Sequence, residues 1–111
     1  MAWQAKHRFA RISARKARLI IDLVRGRNAQ DALNILKFTP HRAAGMISKV
    51  LTSAVASANE AEAEVDRLYV LDARVDEGPP MKRFQPKDRG RTHPILKRSS
   101  HITVVVEEPQ A

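Results

Sequence analysis

The chain has no cysteine, which excludes disulfides, thiolate chemistry and Cys-based metal sites. Glycine occurs only at Gly26, Gly45, Gly78 and Gly90, each isolated, so there is no glycine-rich phosphate cradle. No apolar run approaches the ~18 residues of a membrane span, and Met1–Gln4 lacks the apolar core of a signal peptide. A cytosolic protein is therefore expected, with no membrane partner. Aromatic residues are also scarce: Trp3, Phe9, Phe38, Tyr69 and Phe84 are all there are, and some must serve the core. Single-strand binders usually stack bases on several rings, so stacking is not expected to dominate here.

Catalytic groupings are missing too. His7, His41, His93 and His101 lie far apart and form no metal-ligand spacing. Seven of the twelve acids fall within residues 60–77, but Glu60, Glu62 and Glu64 at alternate positions share no helical face. No enzyme, metal site or cofactor is expected.

Basic charge is plentiful and unevenly placed. The 111 residues carry a formal charge of +8, enough chain for one domain with a modest core. Residues 1–27 carry eight Lys or Arg (Lys6, Arg8, Arg11, Arg15, Lys16, Arg18, Arg25, Arg27) against Asp22 alone. Residues 28–77 are net acidic, by −3. Residues 78–98 then carry Lys82, Arg83, Lys87, Arg89, Arg91, Lys97 and Arg98 against Asp88 alone. A solubilising surface normally mixes signs. Two basic blocks around an acidic middle imply a dedicated polyanion-binding face, and the fifteen cations are its candidate phosphate contacts.

Secondary-structure signals place those blocks. Residues 4–11 can form a basic edge strand, whose charges discourage aggregation. Ser13 can cap a helix running to Arg25, stopped by Gly26, with Ala17, Ile20, Ile21 and Val24 on one face. Asn28 opens a second helix with the stripe Ala29, Ala32, Leu33 and Leu36. Thr39 and Pro40 read as the cap and first position of a third. Its apolar residues (Ala43, Ala44, Ile47, Val50, Leu51, Ala54, Val55, Ala58) run over four turns and should centre the core. The Glu60–Glu64 tract is expected to fray into a linker.

Residues 67–75 and 99–106 have strand composition and should pair. The 21-residue stretch 78–98 that lies between them far exceeds the two to five residues of an ordinary hairpin loop. An extended hairpin of this length would reach roughly 33 Å but has too little apolar surface to stand alone in water. Pro79, Pro80, Pro86 and Pro94 should disfavour regular pairing where they fall. Met81 and Phe84 would pack locally or touch a base or a wall. Seven cations on such an arm are most useful inside a polyanion, which points to RNA. The expected fold is α+β: three helices on a small three-stranded antiparallel sheet, one domain over residues 1–111, with an extended hairpin at 78–98.

Three strings carry a family resemblance. RISARKARLIIDLVRG (Arg11–Gly26) resembles the first helix of the bacterial large-subunit ribosomal protein number twenty-two family. VDEGPPMKR (Val75–Arg83) and KRSSHITVVV (Lys97–Val106) resemble the two arms of its hairpin. The likeness runs from about residue 5 to 106. It implies a structural protein that binds 23S-type ribosomal RNA early in large-subunit assembly, with its globular part near the tunnel exit. It also implies a hairpin tip lining the nascent-peptide tunnel near a narrowing shared with ribosomal protein four. By position the tip region is Met81, Lys82, Arg83, Phe84, Gln85, Pro86, Lys87, Asp88, Arg89, Gly90 and Arg91.

The residues also leave rivals to weigh. A DNA-binding module would use Ser13–Arg25 as its recognition helix, but that helix carries apolar residues on too much of its surface. A cationic membrane binder would need a long basic amphipathic helix, which the chain lacks.

Overall fold

The computed structural model describes residues 2–86 and 92–109, with the backbone alone for 81–86 and 92–96. Strand β1 (Ala2–Ala10) leads to helices α1 (Ala14–Ile21), α2 (Ala29–Phe38) and α3 (Arg42–Glu60). A single 3-10 turn (Val65–Arg67) precedes β2 (Tyr69–Glu77), and β3 (Met81–Pro86), β4 (Thr92–Lys97) and β5 (Ser100–Glu107) follow. The main sheet is antiparallel in the order β1-β5-β2, and β3 pairs with β4 in a separate ladder. The expected α+β architecture, three helices and a three-stranded antiparallel sheet, is what the chain adopts.

The core follows from alternation in the strands. Ile102, Val104 and Val106 of the central strand are fully buried, flanked in register by Val75, Ala73 and Val70 of β2. On the other side Trp3 and Ala5 are partly buried against the same cluster. The third helix covers this face with Ala43, Ala44, Ile47, Val50, Leu51, Ala54 and Ala58, all buried, while Val55 is half-buried. Each large side chain of this kind stabilises the fold by about 1.5–3 kcal/mol when fully buried.

Two helix boundaries differ from the sequence expectation. The first helix ends at Ile21, not Arg25, and Asp22–Gly26 wind as successive turns closed by Leu23 N–H to Ile20 O and Val24 N–H to Ile21 O. The physical reason is tertiary pairing: Gly26 N–H donates to Val70 O at 3.0 Å, and Val70 N–H donates to Arg27 O at 2.8 Å. A helix continued to Arg25 could not present those groups to β2. Gly26 makes the reversal at φ +79°, where a side chain would be strained. Similarly, Thr39 closes α2 rather than capping α3: its hydroxyl donates to Ile35 O at 2.7 Å. Pro40 holds Thr39 extended (φ −90°, ψ 122°), so His41 becomes the cap residue.

The β3–β4 ladder runs from Met81 opposite Lys97 to Pro86 opposite Thr92, and it passes through Pro94 opposite Phe84. Regular pairing thus includes Pro86 and Pro94, two positions expected to disfavour it. In a two-stranded ladder both strands are edges, so a missing N–H can face outward without breaking a bond. Six paired residues per strand extend roughly 20 Å. The molecule measures 68 × 24 × 18 Å along its principal axes, and β3 and β4 contact mainly each other. An arm on a small body is the result.

Candidate nucleic-acid interface

The end of β1 is shaped by a bulge. Pairing with β5 is regular up to His7 opposite Ile102 and resumes at Ala10 opposite Ser100. Between them Phe9 takes a left-handed backbone conformation, φ 57°, which disfavours a bulky side chain by roughly 1–2 kcal/mol. Local bonds hold it there. Phe9 N–H donates to His101 Nδ1 at 3.1 Å, and Ser100 Oγ donates to Ile12 O at 2.6 Å. Because His101 Nδ1 accepts, the neutral ring carries its proton on Nε2. The Phe9 and His101 rings meet edge to face, 4.8 Å between centroids at 82°. The kink leaves Phe9 59% exposed beside the hairpin root.

That root is tight. Gly78 N–H donates to Ser99 O at 2.9 Å, and Ser99 Oγ donates to Pro79 O at 2.9 Å. A Cβ on Gly78 would sit 2.6 Å from Ser99 Oγ and 3.2 Å from His101 Nε2, so any larger residue would have to displace the Ser99 hydroxyl from Pro79 O.

Between the root, the end of β1, α1 and the start of α3 lies a groove of about 1080 Å³. Arg11, Lys16, Arg42, Lys97 and Arg98 line it, and none of its described lining residues is acidic. Phe9, Ile12, Leu19, Ile20, Pro79 and Pro80 supply apolar surface. The positive end of α3's dipole lies here as well, with no acid in the first turn and no side-chain cap from His41. The fold thus joins the two basic blocks, which residues 28–77 separate in sequence. Arg42 was not among the sequence candidates, because it falls in the net-acidic middle; a basic residue opening a helix with an acid-free first turn was the available signal.

The other predicted cations are placed differently. Lys6 lies on the open face of the sheet in register with Thr103, while Arg8 and Arg15 are exposed outside the groove. Arg18 donates through Nε and Nη2 to Val75 O at 3.2 and 3.0 Å. Arg25 donates likewise to Ala73 O at 3.1 and 2.6 Å and pairs with Asp22 at 2.7 Å. Arg27 turns back to Leu23 O at 2.7 Å. These three guanidinium groups are already engaged in holding the body together. Lys82 and Arg83 sit on β3 with Met81, Phe84, Gln85 and Pro86, at ladder positions whose side chains lie outside the described residues. Lys87, Asp88, Arg89, Gly90 and Arg91 lie outside the described residues altogether. Among the described residues no cluster suited to a metal ion occurs, and no described helix is long and apolar enough to cross a membrane.

A cation-lined groove at the root of a paired arm is what an RNA-binding protein of the ribosome would present. The family model described as "Ribosomal protein L22p/L17e" matches residues 5–107, nearly the whole chain. Its members are structural components of the ribosome rather than enzymes, and they bind large-subunit ribosomal RNA. The chain therefore belongs to the ribosomal protein L22p/L17e family of the large ribosomal subunit.

Proposed function

We propose that residues 1–111 act as one RNA-binding unit that joins the large subunit early in its assembly. The globular part sits near the exit of the nascent-peptide tunnel and the β3–β4 arm threads through 23S-type RNA. Residues 81–91 line the tunnel wall and meet the nascent peptide, with ribosomal protein four as a neighbour at the narrowing. The observation that carries this reading is the groove at the arm's root, lined by five cations with no acid among its described lining residues. Phosphates entering there are neutralised where the arm begins, so anchoring and insertion are coupled. Lys6, Arg8 and Arg15 extend the contact over the exposed surface of β1 and α1. Lys82, Arg83, Lys87, Arg89 and Arg91 neutralise phosphate along the arm, and the bonds made by Arg18, Arg25 and Arg27 leave them secondary as contacts.

The apolar faces of α1 support this reading over a DNA-recognition helix: Ala14, Ala17, Ile20 and Ile21 are buried against the body. Sedimentation of a tagged copy expressed in its own cell tests the proposal. Stoichiometric co-migration with large subunits and their precursors, released only at high salt, is expected. A tagged protein that stays at the top of the gradient, with the tag shown harmless, overturns it.

A further inference from the structure

We propose that the groove at the arm's root holds an unpaired RNA nucleotide whose base stacks on Phe9, with its flanking phosphates on Arg11, Lys16, Arg42 and Lys97. The proposal rests on the RNA-binding reading above and names the form of RNA the groove takes. Two observations separate it from general phosphate binding. The groove combines cations with exposed apolar surface, Phe9 at 59% and Leu19 at 69%. A duplex offers phosphates to a protein but keeps its base planes inside the stack, so it has nothing to set against those side chains. An extruded or single-stranded nucleotide offers both a flat apolar face and an anionic backbone.

The second observation is the conformation of Phe9. A bulky residue at φ 57° is an outlier that the surroundings must maintain, and such outliers gather at binding sites. Here the strain does not serve to bury the Phe9 ring, because the ring it places is left in solvent. The His101 ring, edge to face at 4.8 Å, fixes the Phe9 ring beforehand, so little side-chain freedom remains to be lost when a base arrives. The scarcity of aromatic residues is consistent with one stacking position rather than a platform.

The test compares the whole protein with Phe9→Asn and Phe9→Trp variants. Asparagine tolerates the left-handed conformation, so Phe9→Asn removes the ring without adding strain. The probes are short oligoadenylate and the oligoadenylate–oligouridylate duplex. Phe9→Asn is expected to bind the single strand roughly tenfold more weakly and the duplex as the unaltered protein does, with the salt dependence unchanged. Phe9→Trp should retain single-strand affinity, and its fluorescence, read in a Trp3→Phe background, should be quenched by the strand. Unchanged single-strand affinity in Phe9→Asn overturns the proposal, as does an equal loss on both probes. If the unaltered protein shows no salt-dependent binding to either probe, the RNA-binding reading itself fails; that result is distinct from selective failure of the variant.

Discussion

At the scale of single residues, two hydroxyls in the main sheet have opposite situations. Thr103 lies on the central strand with Lys6 and Arg74 opposite it on either side, and only 1% of it is exposed. Its Oγ1 is buried without a hydrogen-bond partner among the described residues. A buried unpaired hydroxyl is unfavourable, whereas a methyl group in the same shape has nothing to satisfy. Thr103→Val should therefore raise stability by about 1 kcal/mol, which moves the melting temperature up by about 5 °C for a domain of this size. A fall in melting temperature would show that the hydroxyl is satisfied in solution. Tyr69, by contrast, donates to Glu107 Oε2 at 2.8 Å. That hydrogen bond, then partial burial, then the carboxylate's charge push the phenol above its ordinary 10.0. The folded state thus favours the protonated phenol. The resulting stabilisation is complete below pH 10 and is lost as pH rises through the raised value. As the chain has a single tyrosine, phenolate absorbance reports it directly. The midpoint should lie above 10 and fall towards it in Glu107→Gln; a wild-type midpoint at or below 10 contradicts the contact.

At the scale of elements, the outer edge of β2 explains what became of the first basic block. Gly26 and Arg27 pair with Val70, Arg25 caps the Ala73 carbonyl and Arg18 caps the Val75 carbonyl. An edge that would otherwise offer bare carbonyls is thereby closed. Arg25→Ala should destabilise the protein by about 1 kcal/mol in urea unfolding while leaving RNA affinity nearly intact. Lys16→Ala should do the reverse, since Lys16 lines the groove and sits on an exposed helix face. If the two variants exchanged these effects, the division between structural and RNA-facing cations would be wrong. This division was hidden in the sequence, where Arg18 and Arg25 look the same as Arg11 and Lys16. The helical stripes and the β2–β5 pairing were legible because burial imposes a period on residue type. The early end of α1 and the role of Thr39 were not, because both depend on partners distant in the chain or on the conformation that Pro40 imposes. Nor could alternation in β1 foretell the bulge that turns Phe9 outward.

At the scale of the whole molecule, charge and shape act together. The body is closed by a core of aliphatic side chains, and Arg11, Lys16, Arg42, Lys97 and Arg98 converge where the arm leaves it. Composition alone revealed the polyanion partner, and the length of the insert revealed the arm. The groove was only half legible, because Arg11, Lys16, Lys97 and Arg98 were visible as charges but their meeting with Arg42 is a property of the fold. The central claim is that this groove is the phosphate anchor. The most direct test is the salt dependence of binding to large-subunit ribosomal RNA, with Lys16, Arg42, Lys97 and Arg98 replaced together by alanine. Each lost phosphate contact should lower the log–log slope by roughly 0.7–0.9, so the quadruple variant should lose about three. A control with Lys37, Lys49, Arg67 and Arg74 replaced, none of which lines the groove, should keep the original slope. A groove variant with the wild-type slope would contradict the account.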